Sequence, residues 1–200
     1  MIKFGITGGI GSGKSFVSKL LKQYGIPVFD CDSEAKKLTN THPVIRERLV
    51  RLLGPEVYTA DGLNKPVLAA YLFASKEHAE RVNAIIHPCV KDAFCEWALQ
   101  RCEEGNSVVA MESAILYESG FHTLVDKVMM VYAPLDVRCE RVIARDHTTI
   151  EAVKKRMASQ MPDEQKCKMA DFVVKNDGTL SLDVQLDNVF SCLKGIKENK

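Results

Sequence analysis

The chain has almost no net charge. Its 27 lysines and arginines nearly balance 26 aspartates and glutamates, leaving a formal +1. That argues against the broad cationic surface by which proteins hold nucleic acid, although a local basic pocket for phosphates remains open. Long apolar runs are also missing, and none approaches the length that spans a bilayer, so no membrane partner is expected. The opening Met-Ile-Lys-Phe-Gly runs straight into an apolar segment, with no room for an export signal, and a cytoplasmic setting is expected. The 7 cysteines, Cys31, Cys89, Cys95, Cys102, Cys139, Cys167 and Cys192, contain no C-x-x-C pair and are odd in number. Reduced thiols are therefore expected, and no zinc ligand set emerges. Cys95 and Cys102 lie one heptad apart on a predicted helix, where packing is their expected role. Repeats and low-complexity segments are lacking too. What remains is ordinary for a globular fold: 200 residues, 46% hydrophobic and 26% charged, enough for one unit with a real core.

Against that plain background one stretch stands out. Gly8-Gly9-Ile10-Gly11-Ser12-Gly13-Lys14-Ser15 fits G-x-x-x-x-G-K-[ST], a phosphate-binding loop. Ile2 to Thr7 before it reads as a short strand, and Phe16, Val17, Leu20 and Leu21 after it recur with helical spacing. Strand, glycine-rich loop and helix in that order place backbone N–H groups and a positive helix end around a polyphosphate. Lys14 should reach the β- and γ-phosphates, and the Ser15 hydroxyl should ligate Mg²⁺.

The rest of the chain alternates strand and helix, with one long interruption. Tyr24-Gly25 ends the first helix and Ile26 to Phe29 is a strand. It runs into Asp30-Cys31-Asp32, a carboxylate pair at a strand's carboxyl end, where open α/β sheets bind ligands. A helix-capping aspartate would give the same letters. From Pro43 to Glu103 the pattern is helical, with a turn at Asp61-Gly62 and a helix boundary expected at His87-Pro88. His87 is either a cap or a substrate contact. Strands resume at Ser107 to Met111, with Glu112 at the exit, and at Asp126 to Tyr132. Pro134 introduces a helix through Arg145 that carries Arg138, Arg141 and Arg145. Arg141 and Arg145 share a face, as solvated surface or as a cationic clamp on phosphate. Thr149 caps a helix to Ser159, Met161-Pro162-Asp163 breaks it, and Glu164 to Met169 restarts it; this reads as a lid. Phe172 to Val174 is the last strand, Leu180 to Ile196 the last helix, and Lys197 to Lys200 a frayed tail.

Five strands with helical crossovers imply an α/β fold: a five-stranded parallel sheet flanked by helices, of the P-loop NTPase type, with a helical acceptor insertion and a lid. The loop alone does not separate kinase from GTPase or motor. A guanine signature of the N-K-x-D kind is not visible, since Asn176-Asp177 lacks its lysine and spacing. The carboxylate pair and the arginine-bearing lid favour phosphoryl transfer to a small acceptor. Asp32, preferred over Asp30, would orient the acceptor hydroxyl and take its proton late in transfer. Lys14, Mg²⁺, Arg141 and Arg145 would stabilise the moving phosphoryl group. Glu112 would contact metal water or acceptor, or serve as polar surface. Two other readings stay open: a different small-molecule kinase, and a protein that closes on ATP without transfer.

Several of these residues carry a family likeness. Gly5 to Ser15, Asp30-Cys31-Asp32, Ile86-His87-Pro88, Leu116 to Gly120, Arg141 with Arg145-Asp146, Arg156, Gln160, Lys166, Ala170-Asp171 and Asn176-Asp177-Gly178 resemble, in register, the dephospho-coenzyme A kinase family. The resemblance covers essentially the whole chain. It implies one domain over residues 1–200, with a nucleotide core of 1–40, 105–145 and 170–200, a helical acceptor region of 41–104 and a lid of 146–169. It also implies transfer of the ATP γ-phosphate to the ribose 3′-hydroxyl of dephospho-CoA, the last step of CoA biosynthesis, with Mg²⁺ as cofactor. Gly11, Ser12, Gly13, Lys14, Ser15 and Phe16 would wrap the ATP phosphates, with Asn176 and Gly178 on the adenine side. Asp32, Lys65, His87, Glu112 and Arg141 would meet the acceptor. Two positions depart from the family's pattern. Ala114 replaces a usual proline and should loosen a turn. Lys65 stands near a frequent arginine and loses its fork geometry.

Overall fold

A computed structural model describes residues 1–198. The chain forms two compact units: Met1–Val28 with the chain from Arg101 onward, and Phe29–Gln100. The first unit is built on strands whose near-continuous apolar runs suit a sheet buried on both faces. They are β1 (Ile2–Thr7), β5 (Val108–Glu112), β6 (Lys127–Tyr132) and β7 (Phe172–Lys175). The five-stranded sheet has the order β2-β5-β1-β6-β7, where β2 (Val28–Asp30) begins at the unit boundary. Its ladders run parallel: Ile2 pairs with Val108, Phe4 with Lys127 and Met129 with Phe172. The strand expected at Ile26 to Phe29 starts later, because Pro27 has no N–H to give a ladder; its carbonyl instead accepts from Ala110 N at 2.8 Å.

Helices α1 (Lys14–Gln23) and α9 (Leu182–Glu198) cover one face of the sheet. Val17 and Leu21 from α1, with Leu186, Val189 and Leu193 from α9, pack on Phe4, Ile6, Ala110, Met129, Val131 and Val174. Of the tail expected to fray, Lys197 and Glu198 belong to α9, and residues 199–200 lie outside the described residues. A smaller cluster joins α6 (Leu135–Asp146) to α7 (Ile150–Met157): Cys139, Val142 and Val153, with Ile10 and Met157 against them. The next helix, α8 (Asp163–Met169), is held by Lys166, which is fully buried and donates to Ala114 O at 2.6 Å and Glu118 Oε1 at 2.9 Å. The turn at Ala114 is therefore pinned through its carbonyl despite the missing proline.

The second unit contains α2 (Cys31–Thr41), α3 (Pro43–Leu53), the short hairpin strands β3 (Tyr58–Thr59) and β4 (Gly62–Leu63), α4 (Lys65–Ala74) and most of α5 (Lys76–Glu103). Ile45, Leu49, Val57, Leu68 and Val82 form its core. The helix boundary expected at His87-Pro88 is absent: α5 runs through Pro88. Proline disfavours this position only locally. Val82, Val90, Phe94 and Ala98 are all buried on the same helix, and that burial overrides the local penalty. Phe94 and Trp97 also close on Phe29, each at 5.4 Å between ring centroids.

Candidate active site

The loop between β1 and α1 is shaped by its glycines. Gly11 and Gly13 adopt φ of 84° and 94°, a region costly for other residues. Gly13 caps α1 without any side-chain hydrogen bond, and its carbonyl accepts from Phe16 N at 3.0 Å and Val17 N at 3.1 Å; the positive end of this ten-residue helix favours an anion beside the loop. Lys14 Nζ curls back and donates to Gly8 O at 2.9 Å. Ser15 Oγ donates to Glu112 Oε1 at 3.0 Å. The β1–β5 register explains that meeting: Ile6 pairs with Glu112, which puts the carboxylate at the strand's end beside the loop. Glu112 is only 7% exposed, so it is not the surface residue that one reading allowed. Among the described residues, the buried Thr7 Oγ1 and Ser12 Oγ have no hydrogen-bond partner, which marks the loop's floor as built for a polar ligand. A hydroxyl and a carboxylate are hard oxygen donors, and they fit Mg²⁺ bound together with a polyphosphate.

Residues far along the chain brace this loop. Asn176, at the end of β7, donates from Nδ2 to Ser12 O at 2.8 Å and fills the space a Cβ on Gly13 would take. Asn176 therefore holds the loop itself. Gly178 lies in the following turn with φ 85°. Arg138 Nε donates to Ile10 O at 2.9 Å, and its guanidinium pairs with Asp163. Gln160 Oε1 accepts from Ile10 N at 3.2 Å. Burial raises the pKa of the Asp163 carboxyl against the opposing pull of Arg138 and Lys166.

The two arginines expected to act together are engaged differently. Arg141 Nη1 comes within 3.8 Å of the Cβ position of Gly13, beside the loop. Arg145 forks onto Asp146 at 2.6 and 3.0 Å, and Arg156 reaches the same carboxylate at 2.6 Å. Hydrogen bonds from both hold the Asp146 carboxyl far below the usual carboxylate range, so it stays ionised. Phe16, next to the loop, is largely exposed.

The remaining predicted site residues belong to the second unit, on three helices. Asp30 caps α2: Oδ1 accepts from Asp32 N at 3.0 Å and Ser33 N at 3.1 Å, and Oδ2 from Ser33 Oγ at 2.6 Å. The capping reading of Asp30 therefore holds, and both of its oxygens are occupied. The cap fixes the backbone of Asp32, which is exposed in the first turn, next to the buried Cys31. Lys65 is exposed at the start of α4. His87 is half-buried in the middle of α5, which overturns the cap reading, and burial lowers its pKa. Sequence reasoning assigned no site role to Arg138, Gln160 or Asp163; only the spacing of Arg138 from Arg141 hinted at the first.

Residues 2–181 match the family profile described as "Dephospho-CoA kinase". A dephospho-CoA kinase of Bacteroides fragilis is 52% identical over 185 residues, covering 92% of this chain and 89% of the relative. One from Porphyromonas gingivalis is 48% identical over 177 residues, covering 88% and 86%. Among solved structures, TT1252 from Thermus thermophilus superposes with a TM-score of 0.82 at 37% identity, covering 96% of this chain and 97% of that one. With its phosphate loop, five-stranded parallel sheet and a family match over residues 2–181, the chain belongs to the dephospho-CoA kinase family.

Proposed function

We propose that this chain transfers the γ-phosphoryl group of ATP to the ribose 3′-hydroxyl of dephospho-CoA, giving CoA and ADP in the last step of CoA biosynthesis, in the cytoplasm. Family membership supports the reaction. The observation that carries the chemistry is the meeting of Ser15 and Glu112 beside Lys14 at the open end of α1. A magnesium ion bound with the nucleotide would neutralise phosphate charge, and Ser15 and Glu112 are the residues that would hold it.

The chain's own groups divide the remaining work. Loop N–H groups from Gly11 to Phe16 bind the phosphates. Lys14 exchanges the Gly8 carbonyl for phosphate oxygens. Arg141, already beside Gly13, neutralises charge on the transferring group, and Arg145 joins it on leaving Asp146. Asp32 orients the acceptor hydroxyl and takes its proton once P–O bond change is advanced. Residues 41–104, with Lys65 and His87, receive the acceptor, and residues 146–169 close over the nucleotide and exclude water.

The test is ADP release with ATP and Mg²⁺, with and without dephospho-CoA, while mass spectrometry follows the acceptor. Acceptor-dependent ADP and one added phosphate at the 3′-hydroxyl are expected. Phosphorylation of a different acceptor alone would keep the kinase mechanism and overturn the substrate. Asp32→Asn is expected to lower kcat by about a hundredfold or more with ATP affinity unchanged; turnover equal to wild type would remove Asp32 from the mechanism.

A further inference from the structure

We propose that the region from α6 to α8 grips the phosphate loop at Ile10, and that Arg138 and Gln160 are positioning residues that set the loop's affinity for the phosphates of ATP. The inference rests on the kinase reading and adds to it a mechanical link between lid and loop. Ile10 is held in three ways. Its N–H donates to Gln160 Oε1 at 3.2 Å. Its carbonyl accepts from Arg138 Nε at 2.9 Å. Its side chain packs on Cys139, Val142 and Val153, the small core that joins α6 to α7.

The grip is rigid because its outer end is buried. Arg138 and Asp163 are each only 7% exposed and pair with one another, so the start of α8 fixes the guanidinium that reaches Ile10. Gly9 lies against that pair, and a Cβ there would collide with Arg138 and Asp163. Holding both peptide groups of Ile10 fixes the turn into Gly11, and with it the direction of the N–H groups that follow. A loop already fixed in its binding shape loses less conformational freedom when phosphate arrives. A merely structural ion pair would add stability without favouring one substrate. A grip on the loop changes ATP binding and leaves acceptor binding alone.

Two variants at one position separate these roles in the intact enzyme. Gln160→Met keeps length but loses the acceptor oxygen, and Gln160→Glu keeps it. Calorimetric titration with Mg·ATP and separate KM values for ATP and dephospho-CoA are the readouts. Gln160→Met is expected to weaken ATP binding and raise its KM about fivefold, with the acceptor KM and Tm unchanged, whereas Gln160→Glu stays near wild type. The double variant Arg138→Met with Asp163→Leu, which leaves no lone buried charge, is expected to weaken ATP binding about tenfold or more. If the double variant does not fold, the Gln160 pair still decides. Folded Gln160→Met protein with wild-type ATP affinity, or equal losses for ATP and acceptor, would overturn the grip. Wild-type protein that binds Mg·ATP without transferring phosphate would overturn the kinase reading instead.

Discussion

At the scale of single residues, close approach and backbone geometry constrain the loop as firmly as charge does. Gly13 shows both at once. Its φ of 94° disfavours any other residue, and Asn176 Nδ2 occupies the space a Cβ would need. Gly13→Ala is expected to weaken ATP binding by about tenfold or more, since the positive φ alone costs about 1–2 kcal/mol. Gly13→Ala with Asn176→Gly removes the collision but keeps the strained backbone, so it should recover only part of the loss. A titration series on the two variants checks this; full recovery would show that the backbone angle contributes nothing. Lys14 and Ser15 could be assigned from the motif because its letters are adjacent in sequence. Asn176 as a brace could not, because nothing near residue 176 records that it will meet Ser12.

At the scale of elements, two helices make opposite demands. Helix α5 carries Pro88 in its interior, where the ring removes the N–H that would reach the Ala84 carbonyl and crowds that carbonyl. Pro88→Ala restores the bond at some cost in unfolded-state entropy, and a net gain of about 2 kcal/mol is expected. Urea unfolding reads the change as a higher midpoint; an unchanged midpoint would mean the helix already accommodates the ring without strain. Helix α8 depends on Lys166, whose ammonium serves both the Ala114 carbonyl and Glu118. Lys166→Met takes the ammonium from the Ala114 carbonyl and leaves Glu118 Oε1 with Met161 N alone, at 2.8 Å, and a loss of about 2 kcal/mol is expected. The same urea measurement tests it, and a shift of a few tenths would show that the pair has little net effect. The helix break at His87-Pro88 was read from a local rule. Burial along one face overruled it, and that face was visible only once the partners of Val82 and Phe94 were known.

At the scale of the whole molecule, stability should depend on acidity through His87. Burial lowers its pKa in the folded unit, so the unfolded chain takes up this proton at a higher pH than the folded one does. Stability is therefore full above the ordinary histidine value of about 6.5. It falls as pH drops below that value and levels once pH passes the lowered folded value. Thermal melts between pH 7.5 and 5.5 should show the fall, and His87→Asn should flatten it; an equal slope in both proteins would assign the effect elsewhere. The sheet was legible because its buried strands are nearly continuous apolar runs, as in Val108 to Met111 and Val128 to Val131. The Arg138–Asp163 pair was not, because a buried ion pair leaves no periodic mark on the chain and depends on a break between α7 and α8 bringing Asp163 round. Family resemblance supplied the substrate, which neither spacing nor charge could name.

The strand order also has a consequence for how the protein is made. β1 leaves the ribosome first, yet its two neighbours in the sheet are β5 and β6. Its hydrogen-bonding edges therefore find no partner until Glu112 and then Tyr132 have been synthesised. The second unit, by contrast, is one continuous stretch, Phe29–Gln100, and all of its sequence emerges in that interval. The newborn chain must carry an apolar strand with open edges past a helical unit free to collapse before it. Long-range parallel pairing of this kind is slow and exposed to aggregation. Until β5 and β6 arrive, β1 is an apolar strand with both edges open, the kind of surface on which nascent chains aggregate.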